Sequence, residues 1–139
     1  MIAYKYLPHT ADVKFEAFGI TLRDLFRNSA LAMCNAMYES ESVQEKESVK
    51  IELQAQSLEQ LLHKFLEEIL FQIDTKQMLF REFRLIIDEK QNKLQAELVG
   101  EAIDAEKHTI KTIVKGVSWH QFELEKTAQG WKATVVVDV

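Results

Sequence analysis

Ser57-Leu58-Glu59-Gln60-Leu61-Leu62-His63-Lys64-Phe65-Leu66-Glu67-Glu68-Ile69-Leu70-Phe71-Gln72-Ile73 sets the fold class of this chain. Leu58, Leu61, Leu62, Phe65, Leu66, Ile69, Leu70 and Ile73 recur at three- and four-residue steps, the spacing of one apolar helix face. Ser57, with Gln60 three residues on, is a capping box that fixes where the helix starts. Burying such a stripe contributes roughly 12 to 24 kcal/mol before conformational entropy is charged. The spacing predicts a helix over 58–74. A similar signal lies upstream, where Thr21 precedes Leu22, Leu25, Phe26, Ala30, Met33 and Met37, with Asp24 at the third position. It predicts a helix from Leu22 to about Tyr38.

Around these helices the chain reads as strands. Val13, Phe15 and Ala17 alternate with Lys14 and Glu16, the pattern of a half-buried strand ending near Gly19. Further strands are expected over 49–53, 79–88, 93–103, 113–117, 121–126 and 131–137. Glu89-Lys90-Gln91-Asn92 forms one hairpin turn, and Thr127-Ala128-Gln129-Gly130 another in which Gly130 takes positive φ. Two strand–helix units followed by a run of strands imply an α+β, two-layer domain over 1–139, with two long helices packed on a mainly antiparallel sheet. The two capped helix starts, each after a strand, echo one another. The echo reads either as a duplicated strand–helix unit or as two ordinary capped helices.

Composition narrows the function classes. At 139 residues and 47% hydrophobic content the chain can bury a core without disulfides. Its one cysteine, Cys34, lies on the first helical stripe and reads as a small buried hydrophobe in a reducing compartment. No long apolar run suggests a membrane span, and the first residues lack a signal-peptide core, so a cytoplasmic location is expected. A net charge of −5 without lysine or arginine clusters disfavours a direct grip on phosphates; action on nucleic acid is expected through a protein partner. The glycine-rich nucleotide loops, the nucleophile elbow, the H-E-x-x-H zinc motif and C-x-x-C are all absent from the sequence.

Chemistry-bearing residues cluster outside the predicted helices. The final strand runs into Asp138-Val139, which brings the Asp138 carboxylate, the Val139 carbonyl and the α-carboxylate close together. Asp12 precedes the first long strand. If those two strands pair, hard oxygen ligands converge, a donor set suited to Ca²⁺, Mg²⁺ or Mn²⁺. The plain alternative is a solvated Asp138 and a turn-capping Asp12. His9, Glu101, Asp104, Lys107, His108, Lys115 and His120 are the other polar candidates, each with an ordinary role as a strand end, loop or backbone-bonding residue. Trp119 and Trp131 are expected to pack on strands at the core border rather than to stack bases.

The ordered segments His9-Thr10-Ala11-Asp12-Val13, Gly19-x-Thr21-Leu22-x-x-Leu25-Phe26, Gly100-Glu101-x-x-Asp104-x-x-Lys107-His108, Val114-Lys115-Gly116-Val117-Ser118-Trp119-His120 and Asp138-Val139 resemble the archease family. Two departures are local: Lys14 stands where a glycine is usual, and Lys115-Gly116-Val117-Ser118-Trp119-His120 replaces the usual K-A-V-T-Y-H. The resemblance implies a protein cofactor, not an enzyme. Such proteins promote guanylylation and multiple turnover of an RtcB-type RNA ligase in tRNA splicing and RNA repair. It also implies a divalent cation, Ca²⁺ first, held at Asp12, Asp138 and Val139. Two other readings compete. One is a small metal-dependent hydrolase with His9 or His120 as base. The other is a chaperone-like modulator of RNA-processing enzymes, with an apolar surface around Met33, Met37 or Phe80.

Overall fold

A computed structural model describes residues 2–9 and 11–139. Both capped helices form. In the first, α1 (Leu22–Met37), the Thr21 hydroxyl accepts the Asp24 backbone N–H at 3.1 Å. In the second, α2 (Leu58–Lys76), the Ser57 hydroxyl accepts the Gln60 N–H at 3.1 Å. Each bond satisfies one of the donors that a helix start leaves orphaned. The α2 helix runs two residues past the expected end, to a left-handed C-cap at Gln77 (φ 52°).

The strands are β1 (Tyr4–Leu7), β2 (Asp12–Gly19), β3 (Glu47–Gln54), β4 (Met78–Asp88), β5 (Lys93–Ala102), β6 (Gly116–Val117), β7 (Glu123–Thr127) and β8 (Gly130–Asp138). Every pairing is antiparallel. They form two sheets rather than one: β1-β2-β8-β6, with β7 also on β8, and β3-β5-β4. The α1 helix packs against β2, β8 and β4 and so bridges both sheets, while α2 lies over β3, β4, β5, β6 and β7. All six residues of the α1 stripe are buried; in α2, Leu58 and Leu70 are only half-buried. Phe26 of α1 meets Phe65 of α2 at 5.8 Å between ring centroids, and Phe65 meets Phe83 of β4 edge-on.

Both hairpin turns take the expected form. Asn92 adopts φ 51° while Asp88 Oδ1 accepts the Lys90 and Gln91 N–H groups, and Gly130 adopts φ 137°. The expected strand over 113–117 shrinks to Gly116–Val117, because the preceding segment is drawn to the helix ends: Ile103 N–H donates to Gln77, Lys111 N–H to Met37, and Ile110 bridges Tyr38. The next strand begins at Glu123 instead of Gln121, which takes a left-handed conformation (φ 60°). Met33, Met37 and Phe80 are themselves buried in the core, and the exposed apolar side chains near Met37 are Phe71, Ile103, Ile110 and Ile113. Cys34 is fully buried, and burial pushes its thiol up to about 12. Among the described residues, no helix is long and apolar enough to cross a membrane.

Tyr38 ties the end of α1 to β4. Its buried hydroxyl donates to the Phe80 carbonyl at 2.8 Å and accepts the Phe80 N–H at 2.9 Å, beside the register shift between Phe80 and Glu82. Tyr38→Phe leaves both backbone groups of Phe80 buried without partners. We expect it to destabilise the fold by about 1–3 kcal/mol. The measurement is urea unfolding, read as a lower midpoint at unchanged slope.

Candidate functional site

The two longest strands of the larger sheet, β2 and β8, pair from Asp12↔Asp138 to Gly19↔Trp131. Val13, Phe15 and Ala17 therefore share a face with Val137, Val135 and Ala133, and that face is the core side. The period of two puts Asp12, Lys14 and Glu16 on the other face with Asp138, Val136 and Thr134. Directly opposite residues have Cβ atoms about 4.5–5.5 Å apart, so the Asp12 and Asp138 side chains leave the sheet from neighbouring positions at its end. Asp138 also pairs with Gly116 on its other flank, and its carbonyl accepts the Lys115 N–H at 2.7 Å. His9 Nδ1 stands 3.4 Å from Asp12 Oδ2. Ala11, just before Asp12, holds a left-handed backbone (φ 64°), uncommon for a residue with a Cβ. Thr10 of the same motif lies outside the described residues.

The structure thus brings Asp12, Asp138, Val139, His9 and the Lys115 backbone to one end of the larger sheet. Among the described residues, no three His, Cys, Asp or Glu side chains come together in a metal-holding group.

Glu101 lies near the end of β5, as expected of a strand-end residue, and His108 lies in the loop after it. Both are buried. The Glu101 carboxylate accepts Lys107 Nζ at 2.7 and 2.9 Å, the Gln44 N–H at 2.7 Å and His108 Nε2 at 3.0 Å. His108 Nδ1 accepts the Asp104 N–H at 3.0 Å, which leaves Nε2 as the protonated nitrogen that donates to Glu101. Asp104 closes the turn by accepting the Glu106 N–H on Oδ1 and the Lys107 and His108 N–H groups on its carbonyl. The cluster is a clasp that fixes the 103–108 loop to β5. Lys107 first, then the Gln44 N–H, holds the Glu101 carboxyl down at about 2. Lys115 and His120 are exposed.

Sequence reasoning looked outside the helices and missed His63 and Glu67. These α2 residues lie one turn apart and cover the outer edge of β6. Glu67 Oε1 accepts the Val117 N–H at 2.8 Å, and His63 Nε2 donates to the Val117 carbonyl at 2.8 Å. Together they replace the neighbouring strand that β6 lacks. Trp119 stacks on the His63 ring (centroids 3.7 Å apart, 6° between planes), and Phe122 meets both edge-on. Trp119 remains 55% exposed, in contrast to the packed role expected of it. The signal for this pair was two polar residues four apart beside an unbroken apolar stripe.

These features define a small α+β protein with two capped helices over antiparallel sheets and a pair of acids joined across its first and last long strands. Residues 4–139 match the Archease protein family. Protein archease of Methanosarcina barkeri is 39% identical, covering 98% of this chain and 95% of that protein. Its counterpart from Sulfurisphaera tokodaii is 33% identical over the full length of both. The solution structure of Methanobacterium thermoautotrophicum protein 1598 superposes with a TM-score of 0.86 at 32% identity, covering 99% of each chain. A Thermotoga maritima crystal structure, described as an archease and possible chaperone, shares the fold (TM-score 0.64, 18% identity, 97% and 96% covered). The chain belongs to the archease family.

Because the Glu101 carboxyl titrates below an ordinary glutamate at 4.5, its ionised form favours the folded state. That contribution is complete above the unfolded value and is lost as pH falls from 4.5 towards about 2. Glu101→Gln should lower stability at pH 7 and flatten the acid side of the stability curve in that window. Thermal unfolding across pH 2 to 7, wild type against variant, checks this. Parallel curves would show that Glu101 is not linked to folding.

Proposed function

We propose that this protein is a metal-binding accessory protein of an RtcB-type RNA ligase, promoting the ligase's guanylylation and multiple turnover. The observation that carries the reading is the β2–β8 register, which sets Asp12 directly opposite Asp138 beside Val139. Two like charges in directly opposite positions are destabilising, and a shared cation removes that cost. The donors are hard oxygens, the set that suits Ca²⁺, with Mg²⁺ or Mn²⁺ as alternatives. The bound ion would supply positive charge at the end of the sheet. Asp12 and Asp138 would hold it, while the Lys115 N–H fixes the Asp138 carbonyl and the Glu101 clasp steadies the loop leading to Lys115. Family membership and the sequence's lack of a nucleotide loop or nucleophile motif support a role that works through a partner. On this reading contact with RNA is indirect, and the protein acts where the ligase acts, in the cytoplasm.

The test joins binding to kinetics. Calcium titration calorimetry should show one site whose affinity falls about tenfold or more in Asp12→Ala and in Asp138→Ala, since affinity follows ligand charge. Multiple-turnover ligation of RNA ends bearing 2′,3′-cyclic phosphate and 5′-hydroxyl should be stimulated by wild type and lost with either variant, at unchanged far-UV circular dichroism. Stimulation by both variants at the wild-type level would remove the acid pair from the mechanism. Turnover of RNA ends by the purified chain alone would favour the hydrolase reading instead.

A further inference from the structure

A strand at the end of a sheet turns a row of backbone N–H and C=O groups outward, and a bare row is a template for another strand. Most edges of this fold are short or covered. β1 has four residues. β6 is covered by His63 and Glu67, and on β7 the Leu124 N–H donates to Glu59 Oε2 at 3.3 Å. On β4 the Tyr38 hydroxyl holds Phe80, and the Phe83 N–H donates to Glu82 Oε1 at 2.9 Å. The exception is β3, eight residues long, which touches only β5 and α2 among the named elements.

The hydrogen-bonding phase of β3 identifies its bare groups. The Ala55 N–H donates to the Asn92 carbonyl in the register that continues Gln54↔Lys93, so the odd-numbered residues of β3 bond to β5. Ser48, Lys50, Glu52 and Gln54 therefore turn their N–H and C=O outward. The Gln54 carbonyl accepts Lys64 Nζ at 2.9 Å. Among the described residues, nothing bonds the outward backbone groups of Lys50 and Glu52. The Lys50 and Glu52 side chains are exposed on the outer face, while Val49, Ile51 and Leu53 pack against the core yet stay half-buried.

This edge is complementary to itself. A two-fold axis at Ile51 sets two copies of β3 antiparallel, with Lys50 opposite Glu52 on both sides of the axis and Val49 opposite Leu53. Lys50 and Glu52 are the outward-facing residues, so each opposed pair exchanges both N–H···O=C bonds and brings opposite charges together on one face. On the other face Val49, Ile51 and Leu53 meet their counterparts and are covered further. The phase allows only registers that oppose even-numbered residues. The next allowed register on either side puts Lys50 opposite Lys50 or Glu52 opposite Glu52, which is repulsive. One register thus satisfies phase, charge and apolar pairing together.

We propose that β3 is a self-association edge: a second copy of this chain adds antiparallel across it about the Ile51 axis, joining the two three-stranded sheets into one. The acid pair lies in the larger sheet and β3 in the smaller, so the proposal stands independently of the ligase reading.

Sedimentation equilibrium of the full chain tests it. Over about 1 μM to 1 mM the mass should rise from monomer towards dimer. Glu52→Lys and Lys50→Glu each set like charges opposite one another across the axis, and each should weaken association about tenfold or more. An equimolar mixture of these two variants should restore it, because each chain then meets the opposite charge at both positions. Glu89→Lys, the same charge change in the exposed β4–β5 turn, should associate as the wild type does. A wild type that stays monomeric over the whole range overturns the proposal. So does a dimer that Glu52→Lys and Lys50→Glu leave unchanged, since it is then built on another face. A mixture that stays as weak as its components removes the two-fold register.

Discussion

The pairing of β2 with β8 is the constraint on which the rest of this structure depends. It joins residues 12–19 to residues 130–138, so a contact between the two ends of the chain organises the larger sheet. Its core face, Phe15 and Ala17 against Val135 and Ala133, is fully buried. A slip of one residue would turn every one of these side chains to solvent, so burial fixes the register. The same register fixes the acid pair. Asp12 and Asp138 are opposite because Phe15 and Val135 are opposite. A repulsive pair at the end of a ladder costs little against the apolar pairs that hold the ladder in place.

The second constraint is the treatment of β6. This strand has only two residues, yet its position sets where Lys115 stands relative to Asp138. Two devices hold it. On one side β8 pairs with it; on the other, His63 and Glu67 of α2 satisfy the Val117 carbonyl and N–H. Upstream, the Glu101 cluster anchors the 103–108 loop to β5, which belongs to the other sheet. The segment between the clasp and β6 therefore spans the two sheets and displays Ile110 and Ile113. Its irregular backbone is what lets apolar side chains face outward there without extending a β edge.

Legibility in the sequence followed the range of the interaction. The helices were readable because their signals are local: a hydroxyl cap and an apolar stripe at three- and four-residue steps suffice for α1 and α2. The hairpin turns were readable for the same reason, through the polar run Glu89 to Asn92 and through Gly130. The convergence of Asp12 and Asp138 was readable as a condition, that their strands pair, and the condition holds. What stayed hidden depends on long-range partners. Nothing near Glu101 in sequence announces that Gln44 will donate to it from fifty-seven residues away. The division into two sheets was likewise hidden, since strand order is a matter of crossovers rather than of any strand's own pattern. The expected strand over 113–117 failed because its apolar residues satisfy an alternation while its neighbours are pulled to the ends of α1 and α2.

The polar residues sort by what surrounds them, and this separates architecture from surface. Glu101 and His108 face one another and the 103–108 turn; their donors and acceptors are used inside the fold, which makes them parts of the scaffold. His63 and Glu67 are spent on a strand edge in the same way. Asp12 and Asp138 differ. Their strands' backbone groups are committed to the ladder, and the two acids occupy directly opposite positions at its end, with His9 3.4 Å from Asp12. The fold satisfies Glu101 with several donors, whereas at the end of the β2–β8 ladder it sets two acids directly opposite one another. Like charges placed directly opposite one another are destabilising, so this end of the ladder is held by the apolar pairs behind it and not by the acids themselves.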